Sequence, residues 1–514
     1  MNAREDKIAV IDFGGQYAHL ISRRIRELGV KAVVVPYSDV DVSTEIHEVR
    51  GFILSGGPAS VYGDGSPHID LRKLGEKPIL GICYGLQLIA HQLGGRVEKA
   101  THREYGRTLI QIVDDSPLFQ NLPTSFEVWM SHSDKISALP PSFKQIAKTE
   151  YSQFAAVQDE KSRIFGVQFH PEVSHTQYGK EILENFIFHI CGCGKSWRIE
   201  DYAEKVVSNI SREVGEGRVL CALSGGVDST VTAVLVKKAI GDRLTCVFVN
   251  HGLLRKGEAE QVLKIYRDQL KLPNLKYVDA SERFLSKLKG VKDPEEKRKI
   301  IGREFAAVFE EINKQYGPFD YLAQGTLYPD VIESGVSRAS ASRIKSHHNV
   351  GGLPPNLRFR LIEPLRELYK DEVRRLASIL GVPDKIAKRH PFPGPGLAVR
   401  IIGEVTEEKL RICREASSIV EEELEREGLL DKIWQAFAIV GDDMATGVKG
   451  DERSYGHIVI VRAVVSDDAM TADWARLPHS LLDRIARRIT NEVDGVTWVA
   501  YAISSKPPST IEPQ

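Results

Sequence analysis

The chain has 514 residues, enough for about three domains. Its 69 Lys and Arg against 70 Asp and Glu leave a formal charge of −1, so no global field draws in nucleic acid or an anionic membrane. With 42% hydrophobic and 27% charged residues, 42 Gly and 24 Pro, the composition is that of an ordinary globular chain and excludes collagen-like or low-complexity architecture.

Six cysteines at 83, 191, 193, 221, 246 and 413 are too sparse for a disulfide scaffold and suit a reducing compartment. The apolar run Ile8–Ile11 stops at Asp12, too short for a signal-peptide core. No stretch approaches the roughly 18 apolar residues of a membrane span. The expectation is a cytoplasmic, soluble, multidomain protein that works on neither membrane nor nucleic acid.

In chain order, Ile8–Ile11 reads as a buried strand and Leu20 to Leu28 keeps helical spacing, with Gly29 as its stop. Strands follow at Ala32–Val35, Phe52–Leu54 and Ile79–Ile82. Continuous apolar strands separated by helices predict a parallel sheet covered on both faces. Glu127–Met130 and Phe165–Phe169 read as hairpin strands. A glycine-rich break at 191–195 ends this block. Alternation resumes with strand Val219–Leu223, helix Ser229–Ile240, strand Thr245–Val249, helix Glu258–Leu270, and strands Tyr277–Val278 and Tyr321–Ala323. The charge-dense stretch Lys292–Lys299 reads as a surface loop or helix. Three prolines in 390–396 exclude regular structure there. Beyond lie a long helix (407–427), a strand (458–461), a helix (481–491) and a strand (497–500). The expected domains are 1–195, 196–390 and 391–514.

Gly81-Ile82-Cys83-Tyr84-Gly85 follows a strand and opens a helix, the cysteine form of a nucleophile elbow. A sharp turn exposes the thiol, and the helix N-terminus favours the thiolate. The bland alternative, a small core cysteine before a turn, is equally good for the motif alone. His170-Pro171-Glu172 closes an apolar strand, and i,i+2 spacing in an extended segment lets Glu172 lie beside His170, where a carboxylate fixes the imidazole tautomer. Leu54-Ser55-Gly56-Gly57-Pro58 ends a strand in a glycine turn whose amides suit an oxyanion hole. Together, and with Asp12–Tyr17, these motifs resemble the class I glutamine amidotransferase family over most of residues 7–195. The resemblance implies Cys83 as nucleophile, His170 as base then acid, and Glu172 orienting His170. It also implies an oxyanion hole near Gly57 and Tyr84, and Gln87 lining the glutamine pocket, with glutamate and ammonia as products.

Ser224-Gly225-Gly226-Val227-Asp228-Ser229-Thr230 joins a strand to a helix. Such a turn offers unpaired N–H groups and a positive dipole end to phosphate. The bland reading is a tight turn with an Asp near the N-cap. No Gly-Lys-Ser/Thr follows, so it is not a Walker A loop; an Asp in the loop can instead hold Mg²⁺ on the phosphates. The loop resembles that of the ATP pyrophosphatases. That resemblance implies ATP binding by residues 224–230, adenine near Val249, Asp228 as magnesium ligand, and cleavage of ATP to AMP and pyrophosphate.

Lys297–Gly302, Ala323–Asp330, His347-His348-Asn349, His390–Arg400 and Ser504–Glu512 resemble the glutamine-hydrolysing GMP synthase family. The match runs over nearly the whole chain. It implies an α/β class I glutamine amidotransferase domain, then a doubly wound parallel-sheet ATP pyrophosphatase domain and a small α+β dimerisation domain. The substrates would be glutamine, ATP and xanthosine 5′-monophosphate (XMP), with Mg²⁺ as cofactor and a homodimer as the assembly. Arg298 and Lys506 would contact the nucleotide, with Asp451, Ile511 and Glu512 at its site. The family ends Ile-Glu-Trp-Glu where this chain has Ile511-Glu512-Pro513-Gln514. By default Lys297–Lys299 is a solvated helix face, and Met130 and Trp129 are core. His347 and His348, adjacent in an extended segment, point to opposite faces and cannot share a metal. Cys191 and Cys193 lack a second pair for zinc. A tRNA-modifying adenylating enzyme is disfavoured by the balanced charge and would have no use for a glutaminase. A non-catalytic relative would have lost Cys83, His170 or Asp228.

Overall fold

A computed structural model describes residues 5–331, 359–466 and 472–514. The pair His347-His348 and Asn349 lie outside the described residues. The chain divides into two compact units, Met1–Asp201 and Tyr202–Gln514.

The first unit is built on a nine-stranded sheet of order β2-β1-β3-β4-β9-β8-β7-β5-β6. Its strands are β1 Lys7–Asp12, β2 Lys31–Pro36, β3 Gly51–Leu54, β4 Ile79–Ile82, β5 Arg96–Ile112, β6 Ser125–Ala138, β7 Lys144–Lys148, β8 Ala156–Asp159 and β9 Ile164–Val167. From β2 to β9 the pairing is parallel, and the apolar runs Ile8–Ile11 and Phe52–Leu54 are wholly buried, as strands covered on both faces must be. Strand β9 forms the expected hairpin with β8 across the turn 160–163, and it does more than close that hairpin. It pairs in parallel with β4 on one side and antiparallel with β8 on the other, so it is a central strand. That placement carries the chain directly from β9 to His170, beside the end of β4. The hairpin β5–β6 is far longer than the expected 127–130. Strand β6 alternates buried and solvated positions, a pattern its polar residues disguise in any search for apolar runs.

The second unit holds two sheets. The first is wholly parallel, in the order β12-β11-β10-β13-β14, with β10 Val219–Leu223, β11 Leu244–Asn250, β12 Lys276–Asp279, β13 Tyr321–Ala323 and β14 Arg360–Ile362. Strand order reverses at β10, which places the crevice typical of open parallel sheets at its carboxyl end. The second sheet joins β15 Gln435–Lys449, β16 Glu452–Val465, β17 Asp473–Trp474 and β18 Val496–Tyr501, with β16 paired to all three others. One continuous apolar core runs from Leu220, Val247 and Phe284 through Leu397 and Ile412 to Val459 and Ile489.

The stretch 292–299 is the start of a helix, Pro294–Tyr316. Pro294 stands at its first turn, the Asp293 carboxylate accepts from Glu296 N–H at 2.8 Å, and Glu295 and Glu296 face the positive dipole end. Residues 390–395 form neither helix nor strand, and a 3₁₀ turn follows over Gly396–Arg400. No helix among the described residues is long and apolar enough to cross a membrane.

Candidate active sites

In the first unit the carboxyl ends of β1, β3, β4 and β9 converge. Cys83 caps the helix Tyr84–Gln92 with φ 51° and ψ −107°, a strained conformation for a residue with a side chain. The flanking glycines make the turn feasible. A Cβ at Gly81 would lie 2.6 Å from Leu86 N, and one at Gly85 would lie 2.2 Å from Leu54 O. The thiol is thereby held above the sheet, with Gln168 Nε2 at 3.6 Å and Ser131 O at 3.7 Å.

His170 Nδ1 meets Glu172 Oε1 at 2.7 Å, both side chains buried, and the imidazole also hydrogen-bonds Cys83. Burial alone would pull the imidazole pKa down. The Glu172 carboxylate and the Cys83 bond outweigh burial and raise it to about 10. The segment is braced from three sides: Thr176 Oγ1 donates to His170 O at 2.6 Å, His170 N–H donates to Trp129 O at 3.0 Å, and Arg24 Nε donates to Glu172 O at 3.0 Å. Met130 is fully buried, and Trp129 packs its ring on His175 at 4.7 Å.

Gly57 lies against Phe13 and Tyr84, where a Cβ would come within 3.3 Å of each. Tyr84 N–H is the first of its helix and has no intrahelical acceptor. Among the described residues neither the Gly57 nor the Tyr84 amide is spent on a hydrogen bond. Gln87 is buried, and its amide donates to Asp134 O at 3.1 Å and Gln168 Oε1 at 3.3 Å. It therefore braces the Gln168 that touches the thiol. A thiol, an imidazole oriented by a carboxylate and two open amides can together carry acyl transfer from an amide.

Glu172→Gln tests the triad's charge. The raised pKa means the charged imidazole stabilises the fold fully below the unfolded-chain value of about 6.5, and this contribution fades as pH rises through about 10. In the variant the fade moves to lower pH, read as Tm against pH, and glutamine hydrolysis falls on the order of 10³-fold. An unchanged profile contradicts the coupling.

In the second unit the loop 224–226 joins β10 to the helix Val227–Ile240. Gly225 has φ +82°, and a Cβ there would stand 3.3 Å from Val262. Ser229 Oγ accepts from Ser224 N–H at 3.1 Å and donates to Gly226 O at 3.2 Å, and Thr230 Oγ1 donates to Gly226 O at 2.8 Å. The loop's shape is thus set by its own hydroxyls. Asp228 Oδ2 pairs with Lys370 Nζ at 2.5 Å, while Asp228 Oδ1 is buried and makes no hydrogen bond among the described residues. Gly325, after β13, packs directly on Asp228, where a Cβ would come within 3.0 Å. One open carboxylate oxygen among hydroxyls suits Mg²⁺, which keeps most of its waters and takes phosphate oxygens rather than a full protein cage. No cluster of three metal-ligating side chains occurs among the described residues. Val249 is buried at the end of β11.

Sequence reasoning missed Lys370. It opens the helix Lys370–Ile379, where a cation is disfavoured by the dipole, and that mismatch is its sequence signal.

The residues expected at a nucleotide site are only partly brought together. Glu512 Oε1 accepts from Gln435 Nε2 at 2.6 Å and faces Arg400 Nη2 at 3.8 Å. Arg400 is 0% exposed, sits on the rings of Phe437 (4.2 Å) and Phe392 (5.1 Å), and none of its guanidinium nitrogens makes a hydrogen bond among the described residues. Burial pulls its pKa down. A buried guanidinium without hydrogen-bond acceptors is costly, and here the Glu512 carboxylate and two aromatic faces offset that cost only in part. Ile511 is buried beside Phe437 and Ile439, and Lys506 bridges Ala472 in antiparallel fashion. Arg462, buried, donates to Ile511 O, Ser504 O and Thr510 O and so folds this segment back. Arg298 is exposed and pairs with Glu295 at 3.6 Å. Its neighbour Lys297, expected on a solvated face, is 0% exposed. Asp451 does not join Glu512 within the chain. It lies at the tip of the β15–β16 hairpin, exposed, roughly 45 Å along the strand from Gln435 at about 3.3 Å per residue. Gln435 and Arg462 went unmarked because an isolated Arg or Gln in an apolar strand carries no motif, and Arg400, though it closes the His390–Arg400 stretch, received no role of its own.

The family model described as glutamine amidotransferase class-I matches residues 9–190, and that described as GMP synthase C terminal domain matches 422–513. The chain is 55% identical over 508 residues to a GMP synthase (glutamine-hydrolyzing) of Carboxydothermus hydrogenoformans, covering 98% of this chain and 99% of that one. It is 55% identical over 515 residues to that of Symbiobacterium thermophilum, covering all of both chains (100% of each). Among solved structures, a glutamine amidotransferase of Thermotoga maritima is 18% identical with a TM-score of 0.31, covering 37% of this chain and 99% of that one. At that level of identity over its full length, the chain belongs to the family of glutamine-hydrolysing GMP synthases.

Proposed function

We propose that the protein makes GMP from XMP. The first unit hydrolyses glutamine, with Cys83 attacking the amide carbon and the Gly57 and Tyr84 amides stabilising the oxyanion. His170 takes the thiol proton and returns it to the leaving ammonia. Glutamate leaves when water, deprotonated by His170, attacks the thioester. In the second unit the loop 224–230 cradles the ATP phosphates, and the XMP oxygen attacks the α-phosphate, releasing pyrophosphate. Ammonia then displaces AMP to give GMP. Free ammonia in water becomes ammonium and loses the lone pair it attacks with, so transfer must be shielded and glutamine hydrolysis coupled to occupancy of the second site.

Asp228 Oδ1, with Lys370 steadying Oδ2, is the group that would hold Mg²⁺, which supplies charge neutralisation on the phosphates. Arg400, Gln435 and Glu512 form the centre of the XMP pocket, joined by Arg298, Lys506 and Ile511, with Asp451 the outlying member. The Arg400 guanidinium carries this reading: it makes no hydrogen bond among the described residues and has Glu512 only at 3.8 Å, and XMP supplies closer acceptors. Residues 1–195 act as the glutaminase, 196–390 as the adenylating part and 391–514 as the dimerising part. Exposed Met444, Val448, Tyr455 and Trp498 on β15, β16 and β18 support pairing of two copies. Six free cysteines support a cytoplasmic location.

The test is incubation with ATP, Mg²⁺, glutamine and a panel of nucleotides. AMP and pyrophosphate should form in equal amounts with XMP alone; release with IMP instead contradicts the reading.

A further inference from the structure

The helix Pro294–Tyr316 buries one lysine that the chemistry above does not use. Lys297 Nζ donates to Ile401 O at 2.7 Å, to Ala398 O at 3.4 Å and to Gln514 Oε1 at 2.5 Å. Its side chain is fully enclosed, and among the described residues no carboxylate lies within ion-pair distance. The nearby Lys409 has its own carboxylate, Asp442, at 2.5 Å. Lys297 therefore relies on two carbonyls and one side-chain amide to satisfy its charge, and a buried ammonium fixes such partners firmly.

Those partners matter for where they lie. Ala398 and Ile401 flank Arg400, and Gln514 is two residues beyond Glu512. Arg462 grips the same segment on the other side, through Ile511 O and Thr510 O. Glu512 is thus suspended between two buried cations, one at 511 and one at 514. The ammonium holds the carbonyls of Ala398 and Ile401, on either side of Arg400, and the side chain of Gln514 at one point.

We propose that Lys297 is a positioning residue for XMP, its ammonium latching Gln514 to the 398–401 turn so that Glu512 stands opposite Arg400 and Gln435. The inference rests on the reading of Glu512 as part of the XMP site. It assigns Gln514 a duty that any hydrogen-bond acceptor of similar reach can fill, and an apolar residue cannot.

Steady-state kinetics of the full chain test this with Gln514→Ala, Lys297→Met, their combination, Gln514→Glu and Glu512→Gln. Gln514→Ala and Lys297→Met each raise KM for XMP by about tenfold, with kcat at saturating XMP and KM for ATP within about twofold of the parent, as expected for one lost charge-assisted bond. The combined variant is no worse than Lys297→Met alone, because both remove the same latch. Gln514→Glu keeps the parent KM. Should Lys297→Met fail to fold, Gln514→Ala alone decides. An unchanged KM for XMP in Gln514→Ala, where Glu512→Gln raises it, overturns the latch and leaves the site reading standing. If Glu512→Gln leaves KM unchanged, the site reading falls, and hydrogen exchange over 509–514 judges the latch. Exchange speeded about tenfold in Gln514→Ala supports it, and unchanged protection overturns it.

Discussion

Cys83→Ala abolishes synthesis from glutamine and leaves synthesis from ammonium salt intact. Alanine keeps the Cβ that the elbow already accommodates, and the thiol's contacts are long, 3.6 Å to Gln168 and 3.7 Å to Ser131, so folding is little disturbed. What is lost is the sulfur poised beside the His170–Glu172 pair. Without a nucleophile the glutamine-dependent rate falls by at least about 10⁴-fold, since groups acting as a unit fail together. The other five cysteines are buried, and none is described with an imidazole partner, so none substitutes. The second unit receives its nitrogen from solvent instead, and its rate with ammonium salt stays within about twofold of the parent. Loss of both activities in a folded variant contradicts a division of labour between two sites.

Asp228→Asn stops adenylation whichever nitrogen source is offered. The amide fits the space that Gly325 leaves open, but it removes the charge opposite Lys370 and the open oxygen that suits Mg²⁺. The Lys370 ammonium is then left uncompensated beside the loop. Pyrophosphate release falls by on the order of 10²–10³-fold or more, the scale seen when one stabilising electrostatic partner is removed from a polar transition state. The readout is pyrophosphate with XMP and saturating ammonium salt. Release at the parent rate removes Asp228 from the site.

Much of this architecture is legible in the amino-acid order because strong local signals coincide with function. Strands β1, β3, β4 and β10 are short apolar runs, and each ends in a glycine turn carrying the chemistry. The Cys83 elbow and the 224–230 loop therefore announce themselves twice, by period and by motif. Glu172 is legible from its i,i+2 spacing to His170, and the structure sets the two at 2.7 Å. The hairpin reading of β9 holds through β8, but its central place in the sheet is not legible locally, because its parallel partner β4 lies more than eighty residues away. Lys297 and Arg298 sit side by side in one charged run, yet one is enclosed and the other solvated, a difference made by residues 398, 401 and 514. The proposed XMP site is least legible for the same reason. Arg400, Gln435 and Glu512 come from a 3₁₀ turn, a strand and a distal segment, and only folding brings them together.

The central claim is that nitrogen freed at Cys83 reaches a carbon activated near Asp228. The most direct measurement is a single reaction with ATP, XMP and glutamine labelled with ¹⁵N in its amide, run in excess unlabelled ammonium at a pH that keeps it protonated. The account expects the 2-amino group of GMP to carry the label at close to full enrichment, with one AMP formed per GMP. GMP formed with solvent nitrogen only, or ADP accumulating in place of AMP, contradicts it.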